Sequence, residues 1–180
     1  MLLNKNNSLM ILVDVQEKLI PAVLNSERFI DRCEWILKLA TKMDVPVLVS
    51  EQYPKGLGRT VQQLCPYLDQ KNRIEKLHFS CMQEPHYVQR LQEYNKKQLI
   101  IFGIEAHVCV LQTAIEMQEA GFDVYVVVDA VSSRNEQDLK YGLKRMKQAG
   151  IHLITAEMVL FEWLRQSGTS DFKVLSKEFL

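Results

Sequence analysis

Three residue types in this chain suit covalent catalysis on a carbonyl or imine-type carbon: a thiol, a carboxylate and an ammonium. Cys109 lies in Gly103-Ile-Glu-Ala-His-Val-Cys109-Val, just after the apolar run Leu99 to Phe102. Apolar positions then recur at helical steps through Val108, Leu111, Ala114 and Ile115. The spacing predicts that Cys109 sits where a strand gives way to a helix. Unpaired backbone N–H groups and the helix dipole favour negative charge there, so the thiol is expected to have a lowered pKa. A packed, inert cysteine is the competing reading, since free cysteines are among the most buried residues. Asp14 ends the apolar run Leu9 to Val13, and Lys76 ends the weaker run Arg73 to Leu77. A carboxylate beside a thiol can take its proton and return it to a leaving group, while an ammonium holds the carboxylate and adds positive field. Turn capping by Asp14 and surface exposure of Lys76 are the plainer alternatives.

The elements that must position these residues alternate along the chain. Strands are predicted at Leu9 to Val13, Val45 to Val49, Arg73 to Leu77, Leu99 to Phe102, Val124 to Val128 and Ile151 to Ile154. Helices are predicted at Arg28 to Met43, Pro85 to Asn95, His107 to Ala120, Glu136 to Gln148 and Glu157 to Gln166, with Gly121 and Gly150 as stops. Short apolar strands alternating with amphipathic helices predict an α/β fold: a three-layer α/β/α domain with a six-stranded, mostly parallel sheet. In such sheets ligands bind at the carboxyl ends of the strands. Asp14, the segment Ser50 to Tyr53, Lys76 and the segment Gly103 to Cys109 are therefore expected on one edge.

Bulk properties narrow the function. A chain of 180 residues with no linker or repeat is read as one domain spanning 1–180. Equal numbers of basic and acidic residues, 22 each, leave no electrostatic footprint for nucleic acid. No run reaches membrane-span length and no signal-peptide core is present, so no membrane partner is expected. The four cysteines lack metal-ligand spacing, which fits reduced thiols in a cytoplasm. Net zero charge is compatible with a homo-oligomer, and the apolar residues between Phe161 and Leu180 are the expected contact surface.

Taken together, Val13-Asp14-Val-Gln16, Glu75-Lys76, Gly103 to Val110 and Val128-Asp129-Ala-Val-Ser-Ser133-Arg resemble the isochorismatase-like cysteine hydrolases. These include nicotinamidases and N-carbamoylsarcosine amidase, on a Rossmann-like fold. Glu51-Gln-Tyr-Pro-Lys-Gly-Leu-Gly58 brings the chain nearest to the isochorismatase domain-containing proteins of unassigned substrate. The resemblance implies Asp14 as general acid/base, Lys76 as its charged partner and Cys109 as nucleophile. It also implies a cis peptide at Ile104–Glu105, whose neighbouring N–H groups, with that of Cys109, form an oxyanion hole. Gln16, Tyr53, Phe79, His107 and Val108 are candidates for the substrate pocket. The Asp-x-His pair and further histidine that bind metal in nicotinamidases have no counterpart after Val49, so no metal and no cofactor are expected. The function implied is metal-independent hydrolysis of a small amide-like C–N bond through a thioester. The alternatives are a non-catalytic scaffold and a thiol redox protein using Cys109, with Cys81 as the candidate resolving thiol.

Overall fold

The computed structural model describes residues 1–180. Its six strands are β1 (Ser8–Val13), β2 (Val47–Gln52), β3 (Arg73–Lys76), β4 (Gln98–Ile104), β5 (Asp123–Ser132) and β6 (His152–Ile154). They form one sheet in the order β3-β2-β1-β4-β5-β6, and every neighbouring pair is parallel. The helices are α1 (Ser26–Lys42), the short α2 (Pro54–Leu57), α3 (Pro85–Glu93), α4 (Leu111–Glu119), α5 (Glu136–Gln148), α6 (Ala156–Leu164) and α7 (Ser170–Phe179).

The continuous apolar runs become central strands because both sheet faces are covered. Side chains alternate along each strand. Leu9, Ile11 and Val13 enter one core with Leu99, Ile101, Val124 and Val126, packed by residues of α3, α4 and α5. Met10 and Leu12 enter the other with Ile100, Phe102, Tyr125 and Val127, packed by α1, α6 and α7. Gly121 and Gly150 follow α4 and α5 with φ of +86° and +88°, the left-handed conformation that ends a helix.

Three differences from the sequence pattern matter. β2 starts at Val47 and continues through the polar residues Ser50, Glu51 and Gln52, where the apolar signal had stopped at Val49. Ala106–Val110 forms one π-helical turn before α4 begins, in place of a regular α-helix from His107. The carboxy-terminal segment folds inward. Trp163, Leu175 and Phe179 are buried, Trp163 Nε1 donates to Ser8 Oγ at 3.2 Å, and Phe179 meets Trp35 edge to face. Part of that segment's apolar surface is thus spent within the chain, while Phe161, Val174 and Leu180 stay exposed.

Candidate active site

Strand register assembles the site. Val13 of β1 pairs with Ser50 of β2 on one side and with Gly103 of β4 on the other. Gln52 of β2 pairs with Lys76 of β3. The carboxyl ends of four neighbouring strands therefore converge on one edge, and Asp14 is the first residue beyond β1. Its φ of 50° turns the chain sharply off the strand, in a region that Asp enters more readily than branched residues. β4 must approach β1 closely at this point. A Cβ on Gly103 would overlap the Val13 carbonyl oxygen and lie 2.8 Å from Val13 N, and Gly103 has φ of +124°.

Lys76 Nζ lies 2.7 Å from Asp14 Oδ2, with neither side chain exposed to solvent. Ser50 Oγ donates to Asp14 Oδ1 at 2.7 Å. The ammonium also donates to Gln52 Oε1 at 2.6 Å, Phe79 O at 2.9 Å and His78 O at 3.2 Å. A buried ion pair of this kind depends on its further hydrogen bonds; here Ser50 serves Asp14 Oδ1 and three oxygens serve the ammonium, while Asp14 Oδ2 has the Lys76 charge and no hydrogen bond. Burial by itself pulls the Lys76 ammonium down, but the fields of Asp14, Cys81 and Cys109 outweigh it and the net direction is up.

Cys109 sits in the π turn, 7 % exposed, with its Sγ 3.9 Å from Gln52 Oε1. Glu105 O anchors that turn by accepting from Val108 N at 3.1 Å and Val110 N at 3.2 Å. The Ile104–Glu105 peptide preceding it is cis. The environment of the thiol corrects one expectation. Its pKa is pushed up, first by burial and then by the Asp14 carboxylate, and Lys76 offsets only part of this. Position at a helix entrance predicted the opposite direction; desolvation and a close carboxylate dominate. The resting group is a neutral thiol.

The remaining candidates separate. Gln16 is fully buried and its carboxamide is spent on the backbone. Its Nε2 donates to Gln52 O at 2.9 Å and Gly58 O at 2.7 Å, and its Oε1 accepts from Gln52 N at 2.7 Å. It holds β2 to the following loop and does not touch Asp14 through these bonds. Tyr53, with φ of 36° and half-exposed, lines a cleft of about 390 Å³ with Lys76, Leu77 and Glu84. Phe79 is exposed and joins the site through its carbonyl. His107 turns away to α5. Its Nδ1 is 3.0 Å from Ser133 Oγ and its Nε2 3.7 Å from Asp138. Val108 packs against the core beneath α4. The Glu105 carboxylate pairs with Arg134 at 2.7 Å.

Two polar residues at the centre of the site had been given no role from sequence: Ser50 and Gln52. Their signal is the strand period. Leu48, Ser50 and Gln52 point to the α4 side, while Glu51 points to the opposite one. There Glu51 accepts from Thr60 N at 2.8 Å and Thr60 Oγ1 at 2.7 Å, and pairs with Arg59 at 2.8 Å. Cys81 lies fully buried behind Lys76, its N–H donating to Thr113 Oγ1 at 3.0 Å. All four cysteines are free. No helix is long and apolar enough to cross a membrane.

A parallel sheet in this order, with an Asp–Lys pair and a cysteine at its carboxyl edge, defines an α/β protein of the isochorismatase-like type. The sequence profile of the Isochorismatase domain matches residues 8–158, and the chain belongs to that family. Isochorismatase domain-containing protein 2 of Xenopus laevis is 35% identical, the match covering 97% of this chain and 84% of that protein. The structure of MAR1 ribonuclease from Caenorhabditis elegans superposes with a TM-score of 0.90 at 38% identity, over 98% of this chain and 91% of that one. The YcaC gene product of Escherichia coli, described as an octameric hydrolase of unknown specificity, superposes with a TM-score of 0.89 at 27% identity, over 99% and 96%.

Proposed function

We propose that this chain is a cysteine hydrolase that cleaves a small amide-like C–N bond without a metal, acting as one domain over residues 1–180. The observation that carries the reading is the solvent-free Asp14–Lys76 pair at the strand edge where Cys109 also lies. Substrate enters beside Lys76. As Cys109 Sγ attacks the carbonyl carbon, the thiol proton passes to Asp14 and the carbonyl electrons move onto oxygen. Collapse of this intermediate breaks the C–N bond, and Asp14 returns the proton to the departing nitrogen. Water attacks the thioester that remains and gives a proton to Asp14; collapse breaks the C–S bond and releases the acid, and Asp14 returns the proton to the Cys109 sulfur. Lys76 stays charged throughout and keeps Asp14 ionised between steps. Backbone N–H groups at Ile104, Glu105 and Cys109 are assigned to the oxyanion.

Support for independence from metal comes from the residues after β2. The loop from Tyr53 to Thr60 includes no histidine, and Glu51 is already committed to Thr60 and Arg59. Free thiols fit a reducing cytoplasm. A homo-oligomer is proposed by analogy with the octameric E. coli relative, with Tyr53, Leu77 and Phe79 as exposed apolar side chains on this edge of the molecule. The ribonuclease name of the C. elegans relative is not carried over: a neutral chain with a thiol nucleophile suits a small acyl compound better than a polyanion.

The test is a panel of small primary amides followed by intact-protein mass spectrometry and ammonia release. An acyl adduct on Cys109, and loss of release in Cys109→Ala, are expected. Hydrolysis retained by Cys109→Ala would overturn the reading, as would cleavage of RNA by the wild-type protein with no amide turned over.

A further inference from the structure

Lys76 has three protons to donate, and four acceptors lie within 3.2 Å: Asp14 Oδ2, Gln52 Oε1, Phe79 O and His78 O. Of these, Asp14 and Gln52 both approach the thiol, Asp14 as the charged partner and Gln52 as a neutral acceptor 3.9 Å from Cys109 Sγ. The Gln52 carboxamide orientation is fixed by its partners. Nε2 donates to Leu77 O at 2.7 Å, so Oε1 must face Lys76; the flipped amide would set N–H groups against an ammonium. The backbone of Gln52 is clamped on both sides by the Gln16 carboxamide, which is itself tied to Gly58 O. A chain of two buried amides thus runs from the loop after β2 to a single oxygen placed between ammonium and thiol.

We propose that Gln52 is a positioning residue for the Asp14–Lys76–Cys109 chemistry, its Oε1 holding Lys76 on Asp14 and fixing the distance between that ion pair and the Cys109 sulfur. This rests on the hydrolase reading for its purpose, but not for its test. A neutral acceptor suits this position. It draws the ammonium without competing with Asp14 for ionisation, and it adds no second negative charge beside a sulfur that must become anionic in the reaction. Lys76 keeps three other acceptors, so loss of Gln52 loosens the ammonium without leaving the charge unpaired.

Two readouts that need no turnover test this. The first is the rate of Cys109 alkylation by chloroacetamide at pH 8, followed by peptide mass spectrometry. Gln52→Glu is expected to slow it at least tenfold, equivalent to about one pH unit in thiolate population. The sign is diagnostic: structural damage exposes the thiol and speeds alkylation. The second is the Lys76 Nζ–H resonance, expected to be visible and slowly exchanging in the wild-type protein and lost in Gln52→Met. A Gln52→Glu rate less than tenfold slower, or faster, than wild type overturns the proposal. So does a Lys76 resonance that is absent from the wild-type protein or unchanged in Gln52→Met. If Gln52→Met fails to fold, the Gln52→Glu rate decides; if wild-type alkylation is below detection, the Lys76 resonance decides. A protein that hydrolyses no amide but passes both tests retains this role for Gln52 and loses only the hydrolase reading.

Discussion

Asp14 and Lys76 face each other at 2.7 Å with no solvent at either side chain, although they come from strands separated by β2. Each is the other's principal countercharge. Removing one leaves a buried ion whose hydration cannot be recovered, at a cost of about 3–5 kcal/mol. Asp14→Ala and Lys76→Met should therefore each destabilise strongly, and the double variant should lose much less than the sum. Urea denaturation of the four proteins measures the coupling; simple additivity would show that the pair is not energetically joined.

Alkaline pH should weaken the fold in a defined way. Burial pushes the thiols of Cys33, Cys81 and Cys109 above their ordinary value of 9.0. The unfolded chain gives up these protons from about pH 9, while the folded chain keeps them. Their contribution is thus complete below pH 9 and declines as pH rises toward the folded values, by about 1.4 kcal/mol per pH unit for each thiol. Lys76 adds to this loss only at higher pH, because its own value is raised above 10.5. Denaturation between pH 7 and 10.5 checks the slope, and Cys33→Ala should flatten it by one thiol's share.

On the acid side the Glu51 carboxylate is the group to follow. Burial raises its pKa, but hydrogen bonds from Arg59 and Thr60 outweigh this and the net direction is down. Its stabilisation is present above the ordinary 4.5 and is lost as pH falls through the lowered folded value. Glu51→Gln keeps an acceptor for Thr60 but no charge for Arg59. It should be less stable at pH 7 and show a shallower acid limb when denaturation is followed from pH 7 to 3.

Gly103 should tolerate no side chain. A Cβ there meets the Val13 carbonyl head-on, in backbone with φ of +124°. Gly103→Ala should lose about 4 kcal/mol or more, since both the overlap and the left-handed backbone oppose it. Thermal unfolding checks this, with Gly121→Ala as the comparison: Gly121 has φ of +86° but nothing within 4 Å of a built Cβ.

The strands and most helices were legible because their apolar residues carry a period. α5 runs over Glu136–Gln148 as the pattern indicates, and the sheet edge that gathers Asp14, Lys76 and Cys109 follows from parallel topology alone. What the pattern hid was polar. Ser50, Glu51 and Gln52 continue β2, but hydrophobicity ends at Val49, so the apolar pattern stops three residues short of the strand's end. α7 was passed over behind a run of small and polar residues, although Thr169 caps it and Phe172, Leu175 and Phe179 hold helical spacing. The thiol's shift went the other way because local position names the helix entrance, while desolvation depends on everything packed above it.

β2 serves two different neighbourhoods with consecutive residues, Ser50 and Gln52 on one face and Glu51 on the other. The strand therefore carries a phase as well as a composition. Losing or gaining one residue between Val47 and Gln52 would turn a carboxylate toward the sulfur and an amide toward Arg59, undoing both neighbourhoods at once. A change of length is accommodated far more readily in the loop beyond β2 than within the strand. That loop, from Tyr53 to Arg59, borders the cleft beside Lys76. An insertion there would reshape that cleft while the frame behind it keeps its count.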